Sequence, residues 1–136
     1  MASEFSAGLT RSDIAFIMQH DAEVISMEEI DGAAALWRIS VSVEGGSPVE
    51  MLIDNGINEL YVQALVQCDS NFIYEALSAT EAIAVVGLTV ISDQLFMRGA
   101  LFIEHSTMHA FTNTYRAAAI AHNRYLGLVA SSSIDR

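Results

Sequence analysis

The stretch AIAVVGLTVISDQLFMRGALFIE, Ala82 to Glu104, decides the fold: two apolar runs flank the polar triplet Ser92, Asp93 and Gln94. Val85, Val86, Val90 and Ile91 are β-branched, a type that suits a pleated surface, and Leu95, Phe96, Leu101, Phe102 and Ile103 carry the hydrophobicity past the turn. The pattern predicts a buried β-hairpin with both faces of each strand largely covered. A transmembrane helix does not fit, because Asp93 and Arg98 interrupt the stretch and neither run reaches the ~20 residues a bilayer requires.

After the hairpin, Ser106 or Thr107 opens a long helix with Met108, Phe111, Tyr115, Ala118, Ala119, His122, Tyr125 and Leu126 along one side. Gly127 weakens its end, and Ser131 to Ser133 read as a frayed tail. Before the hairpin, Asp69 or Ser70 caps a short helix whose stripe is Phe72, Ile73, Ala76, Leu77 and Thr80.

Nearer the N-terminus, Thr10 to His20 predicts the first helix, with Thr10 and Asp13 as a capping pair and Leu9 stapled to Ile14. Val24 to Ile30 predicts a strand ending at the turn pair Asp31-Gly32. From Leu36 to Val43 the residues alternate, with Trp37, Ile39, Val41 and Val43 on a core face. Gly45, Gly46 and Pro48 break the chain, and Val49 to Asp54 then runs into Asn55-Gly56, a strong hairpin signal. A two-residue loop there sets Ile53 opposite Asn58, Met51 opposite Leu60 and Val49 opposite Val62. Val49, Met51, Ile53, Leu60, Val62 and Ala64 then share one face. Glu50, Leu52, Asp54, Glu59, Tyr61, Gln63 and Leu65 share the other, mixed in character as an exposed or partner-facing surface is. The order predicts an α+β domain over residues 1–136, an antiparallel sheet of meander plus hairpin covered by N-terminal, middle and long C-terminal helices. Residues 1–8 and 130–136 are expected as flexible ends.

The 136 residues are 52% hydrophobic and 17% charged, more apolar side chain than a domain of this size hides, so part of it is expected in an interface, most simply a two-fold homodimer. The formal charge is −11, every basic residue is Arg, and eleven of the seventeen acidic residues precede Asp69. Such a surface is unsuited to phosphate backbones, which excludes nucleic acid as the expected partner. The single Cys68 permits no intrachain disulfide, and the N-terminus lacks a basic then apolar leader pattern, so the expected setting is cytoplasmic, with no membrane association.

Motifs that carry chemistry are sparse. His105 and His109 are spaced i, i+4, but a metal site needs a third ligand, and two surface histidines are the commoner meaning. His122 in the apolar stripe reads as a packed histidine, without a nucleophile motif beside it. Glu28 and Glu29 are adjacent on a strand and point to opposite faces, so they cannot form a carboxylate pair. No Gly-rich phosphate loop occurs. Of the methionines, Met51 and Met108 fall on predicted core faces. No catalytic, cofactor-binding or metal-binding residue is assigned.

The segments LTRSDIAFIM and EVISMEEIDG, the meander WRISVSVEGGSPVEMLIDNG, and GLTVISDQLFMRGALFIEHSTMHAFTNTYRAAAIAH follow one another in an order that resembles the YbjN-like family of bacterial regulatory proteins and the structurally related class I type III secretion chaperones. The resemblance implies the same α+β layout and a non-enzymatic regulator or chaperone that binds a protein or peptide. From the mixed face, Leu52, Tyr61 and Leu65 are the expected apolar contacts, with Glu50 and Glu59 meeting basic residues of the partner. The alternative is a small-molecule-binding or catalytic domain with a pocket between sheet and last helix, lined by His122 and Tyr115.

Overall fold

A computed structural model of the chain describes residues 9–30, 36–55, 58–66, 70–81, 83, 85–104 and 106–134. The Asp31-Gly32 turn, Gly56, Cys68, the Asp69 cap and His105 lie outside them. The elements are α1 (Arg11–His20), β1 (Val24–Ile30), β2 (Leu36–Val41), β3 (Val49–Asn55), β4 (Glu59–Leu65), a 3-10 turn at Ser70–Phe72, α2 (Ile73–Glu81), β5 (Val86–Ile91), β6 (Gln94–Phe102) and α3 (Met108–Ile134). The strands form one antiparallel sheet in the order β1-β2-β3-β4-β6-β5, an α+β arrangement with a long C-terminal helix.

Local chemistry accounts for the element ends. Thr10 Oγ1 accepts from Asp13 N–H and the Asp13 carboxylate accepts from Thr10 N–H, so the two residues satisfy each other's free amides at the start of α1. Thr107 caps α3 by accepting from Ala110 N–H. Ser92 and Asp93 both adopt positive φ, at 51° and 64°, and close the β5–β6 hairpin as a two-residue turn between the Ile91–Gln94 pair.

The core lies between one sheet face and the helices. Trp37, Ile39, Val41, Val49, Met51, Ile53, Leu60, Val62, Ala64 and Met97 are buried from the sheet. Ile14 and Met18 meet them from α1, and Phe111, Tyr115, Ala118 and Tyr125 from α3. At Gly99 α3 comes so close to β6 that an added Cβ would lie 2.6 Å from Thr114 Cγ2.

Several expectations are corrected. The β3–β4 register pairs Ile53 with Val62 and Asn55 with Leu60, four residues from the alignment a two-residue Asn55-Gly56 loop requires. A shift of four leaves every side chain on the same face, so hydrophobic alternation cannot tell the registers apart. The helices cover the β5–β6 hairpin on one face only, leaving Phe102 on the other face 68% exposed, and even on the helix side Val90, near the hairpin turn, is exposed. In α2 the buried positions are Ala76 and Ala79, whereas Ile73 and Leu77 face outward; the small side chains let α2 lie close on α3. The helix α3 continues through Gly127 to Ile134, so 130–134, expected in a tail, are helical, and Met108 and Leu126 are exposed.

Candidate functional site

Alternation along the strands puts Glu50, Leu52 and Asp54 of β3, Glu59, Tyr61, Gln63 and Leu65 of β4, and Phe96, Arg98, Ala100 and Phe102 of β6 on the sheet face opposite the core. No described helix packs there. Leu52 lies directly across from Gln63, with Tyr61 and Leu65 the neighbours of Gln63 on the same face. The five residues singled out in sequence, Leu52, Tyr61, Leu65, Glu50 and Glu59, thus occupy one surface. Leu52, Tyr61, Leu65 and Glu59 are half-buried and Glu50 is exposed.

Sequence reasoning missed the contribution of β6. Glu59 faces Phe102, Gln63 faces Arg98 and Leu65 faces Phe96. The Arg98 guanidinium lies 3.8 Å from the Tyr61 ring centroid, a cation–π contact that holds both side chains against the sheet. Parity on β6 alone would have found Phe96 and Phe102, had the hairpin not been read as covered on both faces. A cleft of about 260 Å³ runs across this surface between Arg38, Glu50, Leu52, Gln63, Leu65 and Phe96. At its floor Gln63 Oε1, and beside it Arg98 Nε, are shielded from solvent and have no hydrogen-bond partner in the structure.

The sheet also forks beside this cleft. Pairing between β3 and β4 stops at Leu52–Gln63, although the strands run on to Val49 and Leu65. Val66 N–H donates to Leu95 O on β6, so by alternation the backbone groups of Leu65 aim toward β3, where Glu50 would complete the next pair. His122 of α3 takes that place, its Nε2–H donating to Leu65 O at 3.1 Å. The bond fixes the tautomer and leaves Nδ1 as an acceptor, buried and without a partner. Burial holds the His122 pKa below its ordinary value, partly offset by the bond to Leu65.

Around His122 a cleft of about 280 Å³ is lined by Pro48, Val49, Glu50, Leu65 and Tyr125. Tyr115 is not in it: the ring is fully buried and its hydroxyl donates to Asp21. Burial, then the Asp21 bond, raise its pKa well above the usual tyrosine range. Beside this contact Arg116 holds Glu23 through Nε at 2.6 Å and Nη2 at 3.3 Å. The two contacts strap the α1–β1 connection to α3.

Glu28 and Glu29 point to opposite faces, Glu28 pairing with Arg38 at 3.6 Å and Glu29 with Arg11. His109 is exposed and lines an open groove with His20, Asp21, Glu23 and Arg116. Among the described residues no three His, Cys, Asp or Glu side chains gather as a metal site. Among them, too, no helix is long and apolar enough to cross a membrane.

No family model matches the chain, and no curated protein matches it.

Proposed function

We propose that the chain is a non-enzymatic protein-interaction domain, regulator or chaperone-like in role, that binds a protein or peptide partner on the helix-free face of its sheet. The observation that carries this reading is the surface itself. Leu52, Tyr61, Leu65 and Phe96 stand half-buried among Glu50, Asp54 and Glu59, with all described helices packed on the other side. Folding leaves this apolar area to water, and burying it against a partner is favourable at roughly 25 cal/mol per Å². The surrounding carboxylates favour a partner segment that alternates apolar and basic residues, the apolar ones on the patch and the basic ones at its rim. The apolar excess of the composition also supports self-association as a homodimer.

The test is fluorescence anisotropy with a labelled peptide that alternates leucine and lysine, compared with one in which glycine replaces each leucine. The charge is equal, so attraction to an acidic protein cancels. The reading expects at least about tenfold tighter binding of the leucine peptide, lost in Tyr61→Ser and Leu65→Ser proteins that remain folded. Equal binding of the two peptides contradicts it.

A further inference from the structure

The sheet has two edges, and they are built differently. The outer strand β1 carries Glu28 and Glu29, both in ion pairs, and its register breaks between Val24 and Ser26. Charge and irregularity of this kind keep an edge strand from pairing with another chain. The other outer strand, β5, reads VGLTVI, without a charge or a proline, and its register with β6 is unbroken from Val86–Gly99 to Ile91–Gln94.

The turn at Ser92-Asp93 decides which backbone groups of β5 are free. Ile91 and Gln94 close a two-residue hairpin, so Ile91, Thr89 and Gly87 direct their N–H and C=O groups to β6. Val86, Leu88 and Val90 direct theirs away from the sheet, and no described strand meets them. Apolar side chains flank this edge: Val90 is 68% exposed, Tyr74 on the adjoining α2 is 78% exposed, and Leu77 and Val85 are exposed as well.

We propose that β5 pairs antiparallel with β5 of a second copy of this chain across a two-fold axis, joining the two sheets edge to edge. The proposal rests on the homodimer reading and gives it a location. The free groups are self-complementary about Leu88: Leu88 faces Leu88, and Val86 of each copy faces Val90 of the other, each pair exchanging two main-chain hydrogen bonds. A second copy is the occupant because the chain carries −11, and two copies repel wherever their acidic surfaces meet. The uncharged β5 edge avoids that, and it offers no charge to select a basic or acidic partner.

Sedimentation equilibrium of the full chain tests this, with Val90→Lys placing a charge on the β5 edge and Ile25→Lys as a matched change on the β1 edge, where Ile25 is also exposed. The wild type and Ile25→Lys are expected to be dimers at tens of micromolar, strengthened by added salt as repulsion is screened, and Val90→Lys a monomer with unchanged circular dichroism. A Val90→Lys protein that dimerises as the wild type does overturns the β5 location and leaves self-association standing. A wild type that stays monomeric overturns both. Wild-type amide exchange needs no variant: the amides of Val86, Leu88 and Val90 are expected to slow about tenfold or more as concentration rises through the dimer transition. A dimer that forms without slowing them overturns the location.

Discussion

The carboxamide of Asn123 holds the backbone of Ser47 by two hydrogen bonds, its oxygen accepting from Ser47 N–H and its nitrogen donating to Ser47 C=O, both at 3.1 Å. The same nitrogen also donates to Ala119 O, which fixes the side chain on α3. The connection thus held follows the tight turn at Glu44 and Gly45, where φ is 52° and 74°, and delivers the chain into β3 at the sheet fork. Asn123→Ala removes both bonds and is expected to lower unfolding stability by about 1–3 kcal/mol in urea denaturation. Asn123→Asp keeps the acceptor but turns a carboxylate oxygen against the Ser47 and Ala119 carbonyls, so its loss should be at least as large. A loss under a few tenths of a kcal/mol in Asn123→Ala would mean that the loop holds its shape without the clamp.

Gly99 lies on β6 where α3 leaves no room for a side chain. A methyl group there meets the Thr114 side chain at 2.6 Å and Val85 O at 3.1 Å, so Gly99→Ala forces the helix or strand to move. Overpacking of this kind costs about 1–3 kcal/mol. Gly99→Ala with Thr114→Ser should recover part of that loss, because the Thr114 methyl is the group met first. Thermal unfolding of the single and double variants measures the coupling.

His122 makes stability depend on pH in a defined direction. Its folded pKa lies below the ordinary value, so below about pH 6.5 the unfolded chain takes up a proton that the folded chain does not. The His122 contribution is therefore present above that pH and lost as pH falls through the folded pKa. His122→Gln, whose amide can still donate to Leu65 O, is expected to show a shallower loss of stability than the wild type as pH falls below about 6.5. Parallel curves for the two proteins would remove His122 as the source.

Met51 and Leu52 are consecutive in β3 and separate the two faces of the sheet cleanly. Met51 is buried under the helices, whereas Leu52 is half-buried on the helix-free side. Met51→Ala is expected to cost about 2–5 kcal/mol, the range for truncating a core side chain. Leu52→Ala should cost under about 1.5 kcal/mol, since it leaves no enclosed cavity. Equal losses in chemical denaturation would mean that both faces are internal.

Much of this architecture was legible in sequence because side-chain period sets burial. The alternation from Trp37 to Val43 and from Val49 to Ile53 placed the core face correctly, and the Thr10–Asp13 pair marked the start of α1. The β3–β4 register was not legible, because registers differing by an even number bury the same residues. Neither was the outward face of α2, where Ile73 and Leu77 are the larger apolar residues but Ala76 and Ala79 permit the close approach to α3. Of the candidate surface, Leu52, Tyr61 and Leu65 were found by parity within one hairpin. Phe96 and Phe102 share a face by parity on β6 alone, but only the non-local pairing of β4 with β6 brings them and Arg98 beside Leu65, Glu59 and Tyr61. The role of His122 in completing Leu65 was hidden for the same reason, since residues 57 apart in the chain meet only once the sheet forks.

Recognition of an extended amphipathic partner by the helix-free face, as proposed, is checked by backbone amide chemical-shift mapping with the leucine–lysine peptide. Shifts are expected to concentrate at Leu52, Tyr61, Gln63, Leu65, Phe96 and Arg98, with the buried positions of α3, such as Phe111 and Ala118, left unmoved. Shifts spread evenly over the acidic surface, or gathered at the His20–Arg116 groove, would contradict it.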